Sequence, residues 1–371
     1  MLRSGRLSRW TGDENRCFER ELADRVGATR GLTLANGTVA LEAALRALRL
    51  EEGCEVVVPA RSFVATATSS VNAGCRPVFA DVDRDTQNLT AETVAAVLTG
   101  RTRAVVCVHL AGHPCEMEPL TELCRKRGLR LVEDCAQALG ARYRGRPVGA
   151  FGDAGCFSFC HDKVLTTGGE GGMLVTSDEE LWQRARSYRD HGKSAVALER
   201  PAPDPEYLWV HDGPGSNLRL TEVQAAIGRV QLGKLDGWID RRRELARRYL
   251  ELLADHPLVR APFEAPWARH AFYRLYLFLR PERLAPGWNR RRVIQEVRRA
   301  GGECGSGSCP EIYREGVFRA GPAAPDRRRP VARALGETSL ALLVHPTLRD
   351  ETVDRRARAI AGVLDRALGS R

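Results

Sequence analysis

From residue 13 to about residue 190 the chain alternates between apolar residues at helical spacing and short apolar runs of strand length. Asp13 stands where it would cap a first helix, with Cys17, Phe18, Leu22 and Val26 on one stripe. Strand-like runs follow at Leu32–Ala35, Val56–Val58, Pro77–Ala80, Ala104–Val108, Leu129–Val132, Cys156–Cys160 and Gly172–Thr176. Between them lie helical patterns at Thr38–Leu48, Ser62–Ala73, Ala91–Leu98 and Met117–Arg127. Such alternation builds a mostly parallel sheet covered by helices on both faces, an α/β fold.

After about residue 192 the pattern changes. Pro201–Pro205 reads as a loop, and helical spacing then runs from Thr221 to about Asp255. A strand over Tyr273–Leu279, a helix over Arg291–Ala300, a Gly-Ser-Cys loop and a last helix over Thr352–Leu368 suggest a smaller α+β unit. At 371 residues the chain is long enough for about two domains, expected at 1–240 and 241–371.

The net charge of +10 is compatible with nucleic acid or an anionic substrate. However, the arginines are scattered, and no helix-turn-helix, zinc finger or aromatic-basic interleaving accompanies them, so no nucleic-acid partner is expected. No run of about 18 apolar residues exists, and the basic start Met1–Arg6 leads into no apolar stretch. The expectation is a cytoplasmic protein without membrane contact. Eleven cysteines, an odd number with no C-x-x-C pair, read as reduced thiols. The stretch Cys107–Cys115 holds two histidines and two cysteines but no second half-site, so no metal is expected.

Only four of the 57 basic residues are lysine, which narrows the search for a catalytic amine. Lys163 lies just past an apolar strand and just before the glycines of Gly168–Gly172. Burial at such a place would free the amine to form a Schiff base. Asp134 stands near the carboxyl end of another apolar strand, where parallel sheets bind ligands; a helix cap is the plainer reading. The turn Asn36-Gly37-Thr38 runs from strand into helix and offers a phosphate cradle of free N–H groups and a hydroxyl. A phosphate cradle, a ring-nitrogen acid and an aldehyde-accepting lysine are together the parts that pyridoxal 5′-phosphate (PLP) chemistry needs.

In these motifs, and in Phe63–Ala67, Glu133–Gln137, Phe157–Phe159 and Asn217–Glu222, the chain resembles the DegT/DnrJ/EryC1/StrS family of sugar aminotransferases. The resemblance runs from Phe18 to Leu348 and implies the aspartate-aminotransferase fold (fold type I) with PLP as cofactor. It implies that Lys163 is the Schiff-base lysine and proton carrier, and Asp134 the partner of the ring nitrogen. By the same resemblance, Gln137 neighbours the ring hydroxyl and Phe63 stacks on the ring. Gly37, Thr38, Val39 and Ser158 take the phosphate. Asn217 reaches the cofactor phosphate of a neighbouring subunit, hence a homodimer with shared sites; a cap within its own chain is the alternative.

Two departures stand out. Asn36 replaces the more usual serine, and His161-Asp162 occupy variable positions where His161 is either a ligand contact or a loop residue. Relatives with histidine in place of the lysine dehydrate, whereas Lys163 implies transamination. The implied reaction moves an amino group, from glutamate as expected donor, to a keto sugar carried on a nucleotide. A keto-cyclitol acceptor is the nearest alternative.

Overall fold

A computed structural model describes residues 2–199, 210–319, 321 and 323–369. The Pro201–Pro205 loop lies outside them. Seven strands form one sheet in the order Arg30–Leu34, Gly172–Thr176, Ala154–Ser158, Arg130–Asp134, Thr102–Val108, Glu55–Pro59 and Arg76–Ala80. Gly172–Thr176 runs antiparallel to both neighbours, and every other pairing is parallel. Alternate side chains enter different cores: Val56, Val58, Ala104 and Val106 on one face, Val57, Val105 and Cys107 on the other. Both faces are therefore dry, which is why these strands read as continuous apolar runs.

A three-stranded antiparallel sheet, Val259–Arg260, Leu275–Leu279 and Ser339–Leu342, forms the centre of the C-terminal part. Its core includes Leu277 and Leu340 with Val293, Ile360 and Val363 of the helices Arg290–Arg299 and Asp350–Ala367. The helix Leu235–Leu253 serves two cores. Leu235 and Ile239 pack with Phe18 and Phe157, whereas Leu245, Tyr249 and Leu253 pack with the C-terminal sheet.

Four expectations need correction. Asp13 precedes the first helix, Glu14–Val26, but makes no cap hydrogen bond; its carboxylate pairs with Arg16. The Glu222 carboxylate instead accepts the N–H groups of Glu14, at 2.6 Å, and Asn15, at 3.3 Å. The helical spacing over 221–255 is two helices, Glu222–Leu232 and Leu235–Leu253, parted at Gly233-Lys234. There the Lys234 N–H turns to Gln231 three residues back, and glycine has a low helix propensity. The strand expected at Leu129–Val132 continues to Asp134, so that residue is the last of its strand and not a helix cap. Cys160, conversely, falls beyond the end of Ala154–Ser158.

Candidate active site

A cavity of about 1350 Å³ opens at the carboxyl ends of the parallel strands, between the large sheet and the C-terminal part. Gly37, Thr38, Val39, Phe63, Asp134, Gln137, Ser158 and Lys163 all line it, although they span 126 positions of sequence from Gly37 to Lys163. Tyr273, Arg274 and residues 303–309 close the opposite side.

Asp134 is placed by its strand and fixed by two donors. Thr66 donates its hydroxyl to one carboxylate oxygen at 2.8 Å, and the Ala136 N–H donates to the other at 3.1 Å. Burial raises the pKa of Asp134 against those two hydrogen bonds and the Lys163 charge. A carboxylate in that position gains from a cationic partner on its cavity side. Gln137 accepts the Ala111 N–H at 2.7 Å, steadying a backbone turn where Ala111 sits at φ 59°. Its amide group also faces the cavity.

Lys163 follows a tight turn in which its N–H bonds Cys160 at 3.0 Å. Its ammonium lies 3.6 Å from Asp162 and 5.0 Å from the centre of the Tyr273 ring. The Tyr273 hydroxyl donates to the same Asp162. Burial alone would raise the Asp162 pKa, but the tyrosine hydrogen bond and the Lys163 and Arg274 charges hold it below the ordinary value. Asp162 thus stays ionised beside the amine. Phe63, just ahead of the helix Val64–Asn72, leaves 63% of its surface exposed at the cavity, an unusual state for an apolar ring.

At the other end Asn36 caps the helix Gly37–Ala47, its side-chain oxygen accepting the Val39 N–H at 3.0 Å. The first-turn N–H groups of Gly37 and Thr38 have no partner within the helix, and both residues line the cavity together with Ser158. A side chain at Gly37 would bring a Cβ within 2.6 Å of the Ser158 Cβ, so only glycine lets helix and strand meet there.

Asn217 is the one expected site residue that stands outside the cavity lining. It is exposed, bridged to Asp190 through the backbone, and does not cap the next helix; Thr221 does, in a reciprocal pair with Gln224. Tyr273 and Asp162 were not among the expected site residues. Beneath the site, Glu133 accepts the N–H groups of Gly149, Phe151 and Gly152 and meets His109 at 3.0 Å, while His109 accepts the Cys115 N–H at 2.9 Å. Both ring nitrogens of His109 are thus engaged by partners within this buried network.

Residues 1–361 match the model of the DegT/DnrJ/EryC1/StrS aminotransferase family. The chain belongs to that family. It is 37% identical over 353 residues to the UDP-N-acetyl-3-dehydro-alpha-D-glucosamine 3-aminotransferase of Acidithiobacillus ferrooxidans, covering 95% of this chain and 89% of the relative. It is 36% identical to the dTDP-4-dehydro-2,3,6-trideoxy-D-glucose 4-aminotransferase of Saccharopolyspora spinosa, covering 93% and 88%. Among solved structures, an aminotransferase from Psychrobacter cryohalolentis superimposes with a TM-score of 0.95 at 44% identity, covering 99% of this chain and 95% of that one. As a DegT/DnrJ/EryC1/StrS aminotransferase of fold type I the chain is PLP-dependent. Its own residues fit that cofactor: a helix N-terminus at Gly37-Thr38, a buried carboxylate at Asp134 and an amine at Lys163 share one cavity.

Proposed function

We propose that this aminotransferase delivers an amino group, with glutamate as donor, to the ketone of a nucleotide-linked sugar. The carrying observation is the single cavity that joins Lys163 and Asp134 to the Gly37-Thr38 helix end. Its volume of about 1350 Å³ exceeds the roughly 300–1,000 Å³ of ordinary small-molecule pockets, leaving room for a large second ligand beside the cofactor. Both relatives named above act, by their names, on sugars carried by a nucleoside diphosphate.

PLP, when bound, supplies the electron sink for transamination. The chain supplies the rest. Gly37, Thr38 and Ser158, with Val39 in the same turn, would hold the phosphate; Phe63 would cover the ring face; Gln137 would meet the ring hydroxyl. Asp134 would keep a proton on the ring nitrogen. Lys163 would hold the cofactor through its amine and would carry a proton to and from the substrate carbon, and ionised Asp162 and the Tyr273 ring hold its ammonium in place while the amine is free. Asn217 serves a partner's site in a homodimer; its exposure outside its own chain's cavity supports that reading. The division at 1–240 and 241–371 falls within Leu235–Leu253, between Ile239 and Leu245, where the helix passes from one core to the other. Among the described residues no helix is long and apolar enough to cross a membrane, in keeping with our proposed cytoplasmic setting.

Incubating the PLP-loaded protein with glutamate and a panel of nucleotide keto sugars and keto-cyclitols, followed by mass analysis, tests this reading. Conversion of a sugar ketone to the amine is expected. Amination confined to cyclitols, or to no panel member, would overturn it.

A further inference from the structure

The loop that carries Lys163 also brings together a set of donor atoms of the kinds that bind metals. Cys160 sulfur lies 3.5 Å from His161 Nδ1 and 3.5 Å from Glu170 Oε1. One donor atom each from Cys160, His161 and Asp162 falls within 4.8 Å of the others. Zinc bonds of about 2.0–2.3 Å to sulfur, imidazole and carboxylate set neighbouring corners of a tetrahedron roughly 3.3–3.8 Å apart. Both measured edges at Cys160 lie inside that interval. The sulfur is thus already at tetrahedral spacing from an imidazole and a carboxylate.

The surroundings also favour a cation. The carboxylates of Glu170 and Asp162 flank the Cys160 sulfur, a negative setting that a bound cation would relieve. The position is open: Cys160 is half-buried, His161 exposed, and Cys160, His161, Asp162 and Glu170 all line the cavity. The buried group of His109, Glu133 and Cys135 differs on this point, because both nitrogens of its histidine already have partners.

We propose that Cys160, His161 and Glu170, with Asp162 as fourth donor, bind a thiophilic divalent cation of the zinc class, and that occupancy inhibits the enzyme. Binding forms a metal–sulfur bond and releases the thiol proton to solvent, with no change in oxidation state. The same Asp162 oxygens hold the Lys163 ammonium and accept the Tyr273 hydroxyl. A cation that draws on Asp162 loosens both contacts and stands in the cavity beside the reacting amine.

The test uses PLP-loaded protein and two probes, Zn²⁺ for inhibition and Cd²⁺ for its ultraviolet sulfur-to-metal band, the latter read without substrate. One equivalent of Cd²⁺ per chain should produce the band, and Zn²⁺ should inhibit in a way that a chelator reverses. Cys160→Ser should abolish the band, and Glu170→Gln should weaken Cd²⁺ binding by at least about tenfold, the loss typical of weakened metal-site partners. Both variants should keep the visible band of the lysine-bound cofactor, which shows that they are folded. A full cadmium band in Cys160→Ser, or zinc inhibition equal in wild type and Cys160→Ser, would overturn the proposal.

Discussion

Thr66 donates its hydroxyl to Asp134 across 2.8 Å, from the helix that follows Phe63 to the end of a strand 68 positions later in sequence. The bond fixes the orientation of the carboxylate at the edge of the cavity. Phe63, exposed at the cavity, and Thr66, which orients Asp134, therefore belong to one local segment.

Replacing Asp134 with Ala should leave the Gly37-Thr38 end intact and remove the charge that protonates the ring nitrogen. Each loss of about 1.4 kcal/mol in transition-state stabilisation is tenfold in rate, so the glutamate half-reaction should slow by two or more decades. Cofactor occupancy should fall far less. Stopped-flow absorbance and a PLP titration separate the two quantities, and wild-type-like turnover would place another acid at the ring.

The same carboxylate imposes a pH-dependent cost on the cofactor-free chain. Its folded pKa is raised above the unfolded value of about 3.9. Between those two values the folded state binds the extra proton, so stability falls as pH rises through the window and stays lower above it. Cofactor-free Asp134→Asn should thus melt higher than wild type at neutral pH, with the difference vanishing below the unfolded value. Denaturant melts across pH measure this directly; an equal gap at every pH would assign it to packing.

Borohydride reduction of the PLP-loaded protein should fix the cofactor to Lys163. The competing lysines have other surroundings: Lys126 is an exposed partner of Glu122 at 3.1 Å, and Lys193 lies over Trp10 at 4.9 Å. A peptide map with the adduct on Lys126, Lys193 or Lys234 would sink the assignment.

Gly37→Ala should weaken PLP binding and lower the melting temperature, because the new methyl meets Ser158 at 2.6 Å. Overpacking of this kind costs about 1–3 kcal/mol. Adding Ser158→Gly should recover the melting temperature but not the affinity, since the hydroxyl is gone. Recovery of both would remove Ser158 from the phosphate set.

Mixing inactive Lys163→Ala and Asn217→Ala chains should restore some activity if sites are shared, because one site of each mixed dimer regains both groups. If Asn217 serves only its own chain, every site lacks one group and the mixture stays silent. Activity after subunit exchange, with each parent measured alone, decides the matter.

The sequence made Asp134 and Lys163 legible because one ends an apolar strand and the other lies just past one, and strand ends in a parallel sheet converge on one edge. Thr66 lay inside a quoted motif, but its partner did not show, since a hydroxyl in a helix has many acceptors within reach. Tyr273 carried no local signal at all. It meets Asp162 from 111 positions away, a contact set by how the C-terminal sheet packs on the large one. The break at Gly233 was hidden by apolar spacing that continues in phase across it, and the failure of Asp13 to cap followed from Glu222, a competitor over 200 residues distant.

The helix Leu235–Leu253 gives that long-range contact a mechanical meaning. Arg242, buried midway between its two cores, donates to the carbonyl oxygens of Phe272 at 3.3 Å and Tyr273 at 3.5 Å. Tyr273 in turn holds Asp162, which holds the Lys163 ammonium. The helix is a fulcrum: tilting of the C-terminal part must either pass through it to the reacting amine or break one of these three links.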